Sequence, residues 1–304
     1  MSFEYLFHFN RFNTYFEIPF LQPAKYCEAK DNLTIVYNDQ DLEIPDSSNY
    51  KSVSIEANLK KVSIFYKDLA YFEISKNGKE IRVKELFKKN SRALFISKFL
   101  NHVIPFSLYQ NKKLMIHGSG VSKNGRGVLF IGGSGSGKSS LSASLKDFKI
   151  IAEDSVIANF ENKNCYVSTG FPLVKLTTKV AKILNFKKDE SIKLPGDRLS
   201  RSYYPIKNFS TEKVLIDKCY ILEWGDKFDI KKIEPKNFLA NFLFSTYSSI
   251  PVNSCKVSSE ILHRYASQFL SSVKTYKLTR NKKNLFNNNE EIIEHFSSTQ
   301  SKSI

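Results

Sequence analysis

The chain has 304 residues, 41% apolar and 25% charged, which excludes disorder throughout and supplies core material for two domains at roughly 150 residues each, or one large one. The charge is 46 − 30 = +16, carried by 38 Lys and only 8 Arg, with no block of like charge. Arg is the side chain suited to phosphate forks and base edges, so this bias does not point to nucleic acid as a partner.

Residues 1–85 read as β-rich, with β-branched or aromatic runs at Leu33–Tyr37, Val62–Tyr66, Tyr71–Ile74 and Ile81–Val83. Asn77-Gly78 between the last two runs signals a hairpin, and the polar stretch Asp39–Lys51 reads as a loop. From Glu85 to about Val103 the period becomes helical, with Leu86, Leu94, Phe95, Phe99 and Leu100 on one face. A β-rich N-terminal domain is therefore expected over residues 1–105.

The remainder, residues 106–304, is expected as an α/β domain. Lys113–His117 and Gly127–Ile131 read as adjacent strands joined by the turn Lys123-Asn124-Gly125, followed by a helix from about Lys138 to Leu145. Strands are expected at Lys149–Ala152, Val156–Phe160, Cys165–Ser168 and Val214–Glu223. The polar residues 185–210 read as a long loop over the site. Helices are expected at Pro235–Phe244, Glu260–Ser271 and Glu290–Phe296, a strand at Val273–Leu278, and a frayed tail at the end. Cys27, Cys165, Cys219 and Cys255 form no CxxC pair, which argues against zinc and for reduced thiols in a cytoplasmic protein. The N-terminus does not resemble a signal peptide, and no run approaches the ~18 apolar residues of a membrane span, so no membrane partner is expected.

One segment carries chemistry. Gly132, Gly133, Ser134, Gly135, Ser136, Gly137, Lys138, Ser139 and Ser140 contain the GxxxxGK[ST] pattern without substitution, after an apolar strand and before a helix-forming run. Glycines let the backbone turn inward so that amide groups form an anion nest, and the helix start aims its positive end at the same point. Lys138 is placed to neutralise phosphate oxygens and the Ser139 hydroxyl to ligate Mg²⁺. The expected ligand is ATP with Mg²⁺.

A phosphate loop needs a second element to orient or activate the nucleophile. Lys149–Ala152 ends in Glu153-Asp154, 14 and 15 residues after Ser139, the length of one helix and a return strand. Such a pair can divide the work, one carboxylate holding Mg²⁺ and the other accepting a proton, its pKa raised by the like charge beside it. His117, about 15 residues before the loop, precedes Gly118 and Gly120, which suggests close backbone packing at the site edge.

The pattern IHGSGV…GRGVLFIGGSGSGKSSLSASL…FKIIAEDSV resembles the kinase domain of the HPr kinase/phosphorylase family, itself related to phosphoenolpyruvate carboxykinases. The likeness covers residues 110–160 well and weakens toward 180. It implies a P-loop kinase core of that type, Lys138 and Ser139 on phosphate and metal, Glu153 in the base position, Asp154 on the metal side, and His117 near the phosphates. The opening FNRFNTYFEIPFLQPA and the segment GFPLVKL resemble a standalone branch, some members of which accompany lasso-peptide and other peptide-modification pathways. In that branch Lys175 faces the site, and Arg198 and Arg201 lie where the family carries a substrate- or phosphate-facing arginine. Members of the family assemble, so a homo-oligomer is implied on resemblance alone.

Two departures bear on function. The pair is Glu-Asp where the family has Asp-Asp, so the base reaches one methylene further. The glycine-rich second signature of true HPr kinases has no counterpart, which argues against HPr as substrate and against phosphorolysis. The expected activity is phosphoryl transfer from ATP to a hydroxyl, a serine of a peptide or protein. The alternative is a nucleotide-binding switch or pseudokinase with little or no transfer.

Overall fold

The computed structural model describes residues 2–7, 10–18, 21–23, 33–44, 53–57, 61–87, 91–111, 113, 115–168, 170, 172–193, 200–245 and 259–298. The architecture is mixed α/β. Among the described residues the N-terminal part builds an eight-stranded sheet, in the order Gln22–Pro23, Phe3–Phe7, Asn10–Thr14, Leu33–Asn38, Glu80–Glu85, Ala70–Ser75, Lys61–Tyr66 and Val53–Ala57. Alternation along Lys61–Tyr66 and Ala70–Ser75 sends Val62, Ile64, Phe72 and Ile74 to one face, where Phe95, Phe99, Val103 and Phe106 cover them. Phe65 and Tyr71 point to the other face and pack with Leu42. The four β-branched or aromatic runs expected from the sequence thus reappear as four of these strands, and the expected loop at Asp39–Lys51 is described only to residue 44.

The helix differs from expectation. It runs as Arg92–Lys98, a π-helical turn Phe99–Val103, and Ile104–Gln110. Leu86 lies before it. Pro105 cannot donate to the turn behind it and its ring presses on the carbonyl four residues back. The π turn, closed by Ile104 N–H donating to Phe99 O, absorbs that mismatch and lets the helix continue past a residue that reads as a stop.

The second sheet is built around the long strand Val214–Trp224. Arg126–Ile131 pairs parallel to it on one side and Lys274–Arg280 parallel on the other, with Asn164–Val167 antiparallel at its start. Gly118–Lys123 pairs antiparallel with Arg126–Ile131 through the Asn124-Gly125 turn, and Lys149–Ala152 adds beyond it. This corrects the expected strand at Lys113–His117. Among the described residues there only Met115–Ile116 is a strand, and it pairs with Val156–Glu161 instead. The close backbone packing expected at Gly118 and Gly120 is present: a Cβ on Gly118 would lie 2.9 Å from Phe130 O, and one on Gly120 3.0 Å from Leu129.

A third, three-stranded sheet joins Leu173–Thr177, Arg201–Pro205 and Ile192–Lys193. It corrects the reading of 185–210 as a long loop, since Arg201–Pro205 is a paired strand. Residues 194–199 lie outside the described residues, as do Cys27, Cys255 and the expected frayed tail from 299 onward. Cys165 and Cys219 are buried free thiols. Helices occupy Pro235–Phe244, Ser259–Ser272 and Asn289–Ser297, close to expectation. Among the described residues no helix is long and apolar enough to cross a membrane.

Gly78 ties the N-terminal hairpin to the helix. It has φ +71°, its carbonyl accepts from Ser107 Oγ (2.7 Å), and an added Cβ would fall 2.0 Å from Ser107 O. Gly125 has φ +74° with nothing within 4 Å of an added Cβ. Gly125→Ala is expected to cost about 1–2 kcal/mol, the left-handed penalty alone, whereas Gly78→Ala adds a backbone clash and costs clearly more. Urea unfolding of the two variants compares them directly.

Candidate functional site

Arg126–Ile131, Lys149–Ala152, Val214–Trp224 and Lys274–Arg280 all point the same way, and their C-terminal ends meet at one sheet edge. Ligands of open α/β sheets gather at such an edge. From Ile131 the chain enters the glycine loop and then the helix Lys138–Ser144. Gly132, Gly135 and Gly137 have φ of +141°, +80° and +84°, which side-chain-bearing residues rarely adopt. Among the described residues, the N–H groups of Gly135, Gly137 and Lys138 have no acceptor. Residues 133–135 are exposed, and the Ser136 hydroxyl is buried without a partner. The Lys138 side chain, 6% exposed, folds over the loop and donates to Gly132 O (2.9 Å) and Gly133 O (3.1 Å). Burial lowers its pKa, and Lys175 adds to this while Asp154 and Glu153 oppose it.

Two residues that the sequence did not single out brace the loop from behind. Trp224 Nε1 donates to Gly135 O (2.9 Å), and Arg280 Nη2 donates to Ser136 O (2.8 Å). The Arg280 guanidinium lies 4.8 Å from the Trp224 ring centroid, and Gly137 fits against both: a Cβ there would be 2.7 Å from Arg280 and 3.0 Å from Trp224. Burial lowers the Arg280 pKa to about 10. Only strand pairing, with Trp224 opposite Arg280, brings these side chains together, and no local motif announces them.

The acid pair sits at the end of Lys149–Ala152. Ser155 N–H donates back to Glu153 O (2.7 Å), and Asp154 is held at φ +65°, a tight three-residue turn that is strained for a non-glycine residue. The two carboxylates meet different surroundings. Glu153 is 1% exposed. One oxygen accepts from Ser142 Oγ, one turn into the loop helix, and the other, Oε2, has no partner. Burial pushes its pKa up to about 7, with the hydroxyls of Ser142, Ser119 and Ser139 opposing the shift and Asp154 adding to it. Asp154 goes the other way. Burial alone would raise it, but Lys175 Nζ at 2.9 Å from Oδ2, His117 and Lys138 together hold it well below the usual carboxylate range. His117 Nδ1 donates to the Asp154 carbonyl (3.0 Å) and lies 3.4 Å from Oδ1. Its pKa is lowered by burial, partly countered by Asp154.

The glycine loop, Lys138, Ser139, Glu153, Asp154, His117 and Lys175 thus converge at one edge. Arg201 starts the strand opposite Thr177, on the face that also carries Lys175 and Tyr203. Arg198 lies outside the described residues. Ser119 and Ser142 were missed. Ser142 could have been found from its spacing, four residues after Lys138 and so on the same helix face. Among the described residues no group of three or more His, Cys, Asp or Glu is arranged to hold a metal ion. A cation that relies on a hydroxyl, a carboxylate and ligand phosphates needs no such group.

No family model matches the chain. It is similar to a curated HPr kinase/phosphorylase of Prosthecochloris aestuarii, 26% identical over 132 residues, a stretch that is 42% of this chain and 34% of that protein. The chain thus spans about a third of the length of that relative. A solved structure, the Hpr(Ser) kinase/phosphatase of Coxiella burnetii, aligns at 10% identity and a TM-score of 0.31, covering 61% of this chain and 98% of the other.

The raised Glu153 pKa has a measurable consequence. Between the ordinary Glu value and about 7, the folded chain holds a proton that the unfolded chain has released. This stabilises the fold in mild acid by about 1.4 kcal/mol per pH unit of that window, and the contribution is lost as pH rises through 7. Glu153→Gln is expected to remove the dependence. Thermal unfolding from about pH 5 to about pH 8 checks this: the variant gains stability relative to the parent as pH rises.

Proposed function

We propose that the protein is an ATP-dependent kinase of the HPr-kinase-like type, transferring the γ-phosphoryl group to a serine hydroxyl of a peptide or protein other than HPr. The observation that carries this reading is a buried carboxyl poised at about 7, with an unpartnered oxygen, beside a glycine loop of phosphate-binding pattern. Similarity to a relative named HPr kinase/phosphorylase supports the same reaction class. In this reading residues 106–304 form the P-loop kinase core and residues 1–105 a β-rich unit, in a cytoplasmic protein of the peptide-modifying branch.

Each residue then has a role. The amides of residues 133–138 and the Lys138 ammonium cradle the phosphates. Ser139 and Asp154 would hold Mg²⁺. This donor set of one hydroxyl and one carboxylate that stays ionised at neutral pH suits a hard cation, which supplies charge neutralisation to the phosphates when bound. Glu153 Oε2 accepts the proton of the acceptor hydroxyl as that oxygen forms its bond to γ-phosphorus and the bond to the β–γ bridging oxygen breaks, leaving ADP. Lys175 keeps Asp154 ionised and, with Arg201, lies on the side from which the acceptor approaches. His117 anchors the Asp154 carbonyl and so fixes the turn.

Labelled ATP with serine-bearing acceptors tests the proposal. Glu153→Gln is expected to lower transfer by about 10²–10⁴ with nucleotide binding retained, and Lys138→Met to weaken binding itself. Binding is read from the emission of Trp224, the one tryptophan, because its indole bonds to the loop. The parent's kcat/KM is expected to rise with pH and level off above about 7, as Glu153 ionises. Nucleotide binding with neither transfer nor hydrolysis would favour the switch reading instead.

A further inference from the structure

We infer that Lys98, on the helix of the N-terminal part, and Lys175 form a subsite for a carboxylate of the acceptor, so that the preferred acceptor is a peptide with an acidic side chain next to its reactive serine. The inference rests on the kinase reading above and adds a substrate class to it.

The geometry comes from both ends of the chain. Asn101, one turn after Lys98 on the same helix face, donates to the Tyr203 hydroxyl (3.0 Å). Tyr203 stands opposite Lys175 in strand pairing, and the Lys175 ammonium lies 5.6 Å from its ring centroid while binding Asp154. His102 bonds to the Tyr66 hydroxyl, and Lys98 Nζ lies 5.5 Å from the Tyr66 ring centroid. The Lys98 face of the helix is therefore pinned against the Lys175 face of the three-stranded sheet, one residue away from Glu153.

The charges there are unbalanced. Lys175 has Asp154. Lys98 is half-buried and, among the described residues, meets an aromatic ring but no carboxylate. Burial, and then Lys175, push its pKa down. Arg201 adds positive charge on the Lys175 face. A nucleotide on the glycine loop engages Lys138 and leaves Lys98 uncompensated. A half-buried ammonium within electrostatic reach of a second cation is costly unless an anion joins it, and a carboxylate between the two would form charge-assisted hydrogen bonds. Phosphoryl transfer needs the serine at Glu153, so this carboxylate belongs within about one residue of the serine, given the reach of a peptide unit.

The test uses the full chain saturated with Mg²⁺ and a non-hydrolysable ATP analogue, probed with serine-centred peptides that carry Glu, Gln or Lys at the flanking positions. The parent is expected to bind the Glu peptides roughly tenfold more tightly than the Gln peptides. Lys98→Met is expected to erase that ratio without changing affinity for the analogue, and Lys98→Arg to keep it. Analogue binding with no preference for Glu, or a preference that Lys98→Met leaves intact, overturns the subsite while the kinase reading stands. Failure of the parent to bind the analogue overturns both.

Discussion

Two adjacent carboxylates taken out of water cannot both be left to themselves. Each must either keep its proton or acquire a cation. Here the pair is split. Asp154 keeps its charge because Lys175 is against it, and Glu153 moves to the edge of neutrality because burial outweighs the hydroxyls around it. The strained turn at Asp154 makes the split possible, since a positive φ sends consecutive side chains to different surroundings. Other parts of the structure serve this division. Strand pairing sets Tyr203 opposite Lys175, and the loop helix places Ser142 on Glu153.

The glycine loop obeys a second constraint. A backbone whose N–H groups face inward must turn its carbonyls elsewhere, and donors there hold them in place. Trp224 and Arg280 supply two of them, and Lys138 takes those of Gly132 and Gly133. Gly137 then has a second reason to be glycine besides its φ, because the Arg280–Trp224 stack leaves no room for a Cβ. The loop's shape is thus held by side chains 89 and 144 residues downstream of the carbonyls they bind.

This explains what could be read from the sequence. The loop and the acid pair were legible because each is local: glycines at fixed spacing answer a backbone requirement, and Glu153-Asp154 ends an apolar strand. Elements with regular apolar spacing, such as Pro235–Phe244 and Val214–Trp224, were legible for the same reason. What escaped was decided at a distance. Gly118–Lys123 carries no apolar run and becomes a strand only between Arg126–Ile131 and Lys149–Ala152. Arg201–Pro205 sits in a polar stretch and becomes a strand only through its partner Leu173–Thr177. Trp224 and Arg280 carry no motif and acquire their role from register alone.

The helix of the N-terminal part belongs to the same argument. Pro105 would ordinarily end it, yet the π turn carries it on to Gln110. The residues of that turn include Asn101 and His102, which bond to Tyr203 on the sheet that carries Lys175 and to Tyr66 on the N-terminal sheet. Met115, Ile157, Leu173 and Tyr203 pack into the same core as Phe95 and Phe99. The N-terminal sheet is thereby coupled to the acid pair through three contacts: Asn101 to Tyr203, Tyr203 to Lys175, and Lys175 to Asp154. Interior packing transmits displacement because it leaves little free volume. Lys175 thus holds Asp154 from a sheet that the N-terminal helix braces through Tyr203.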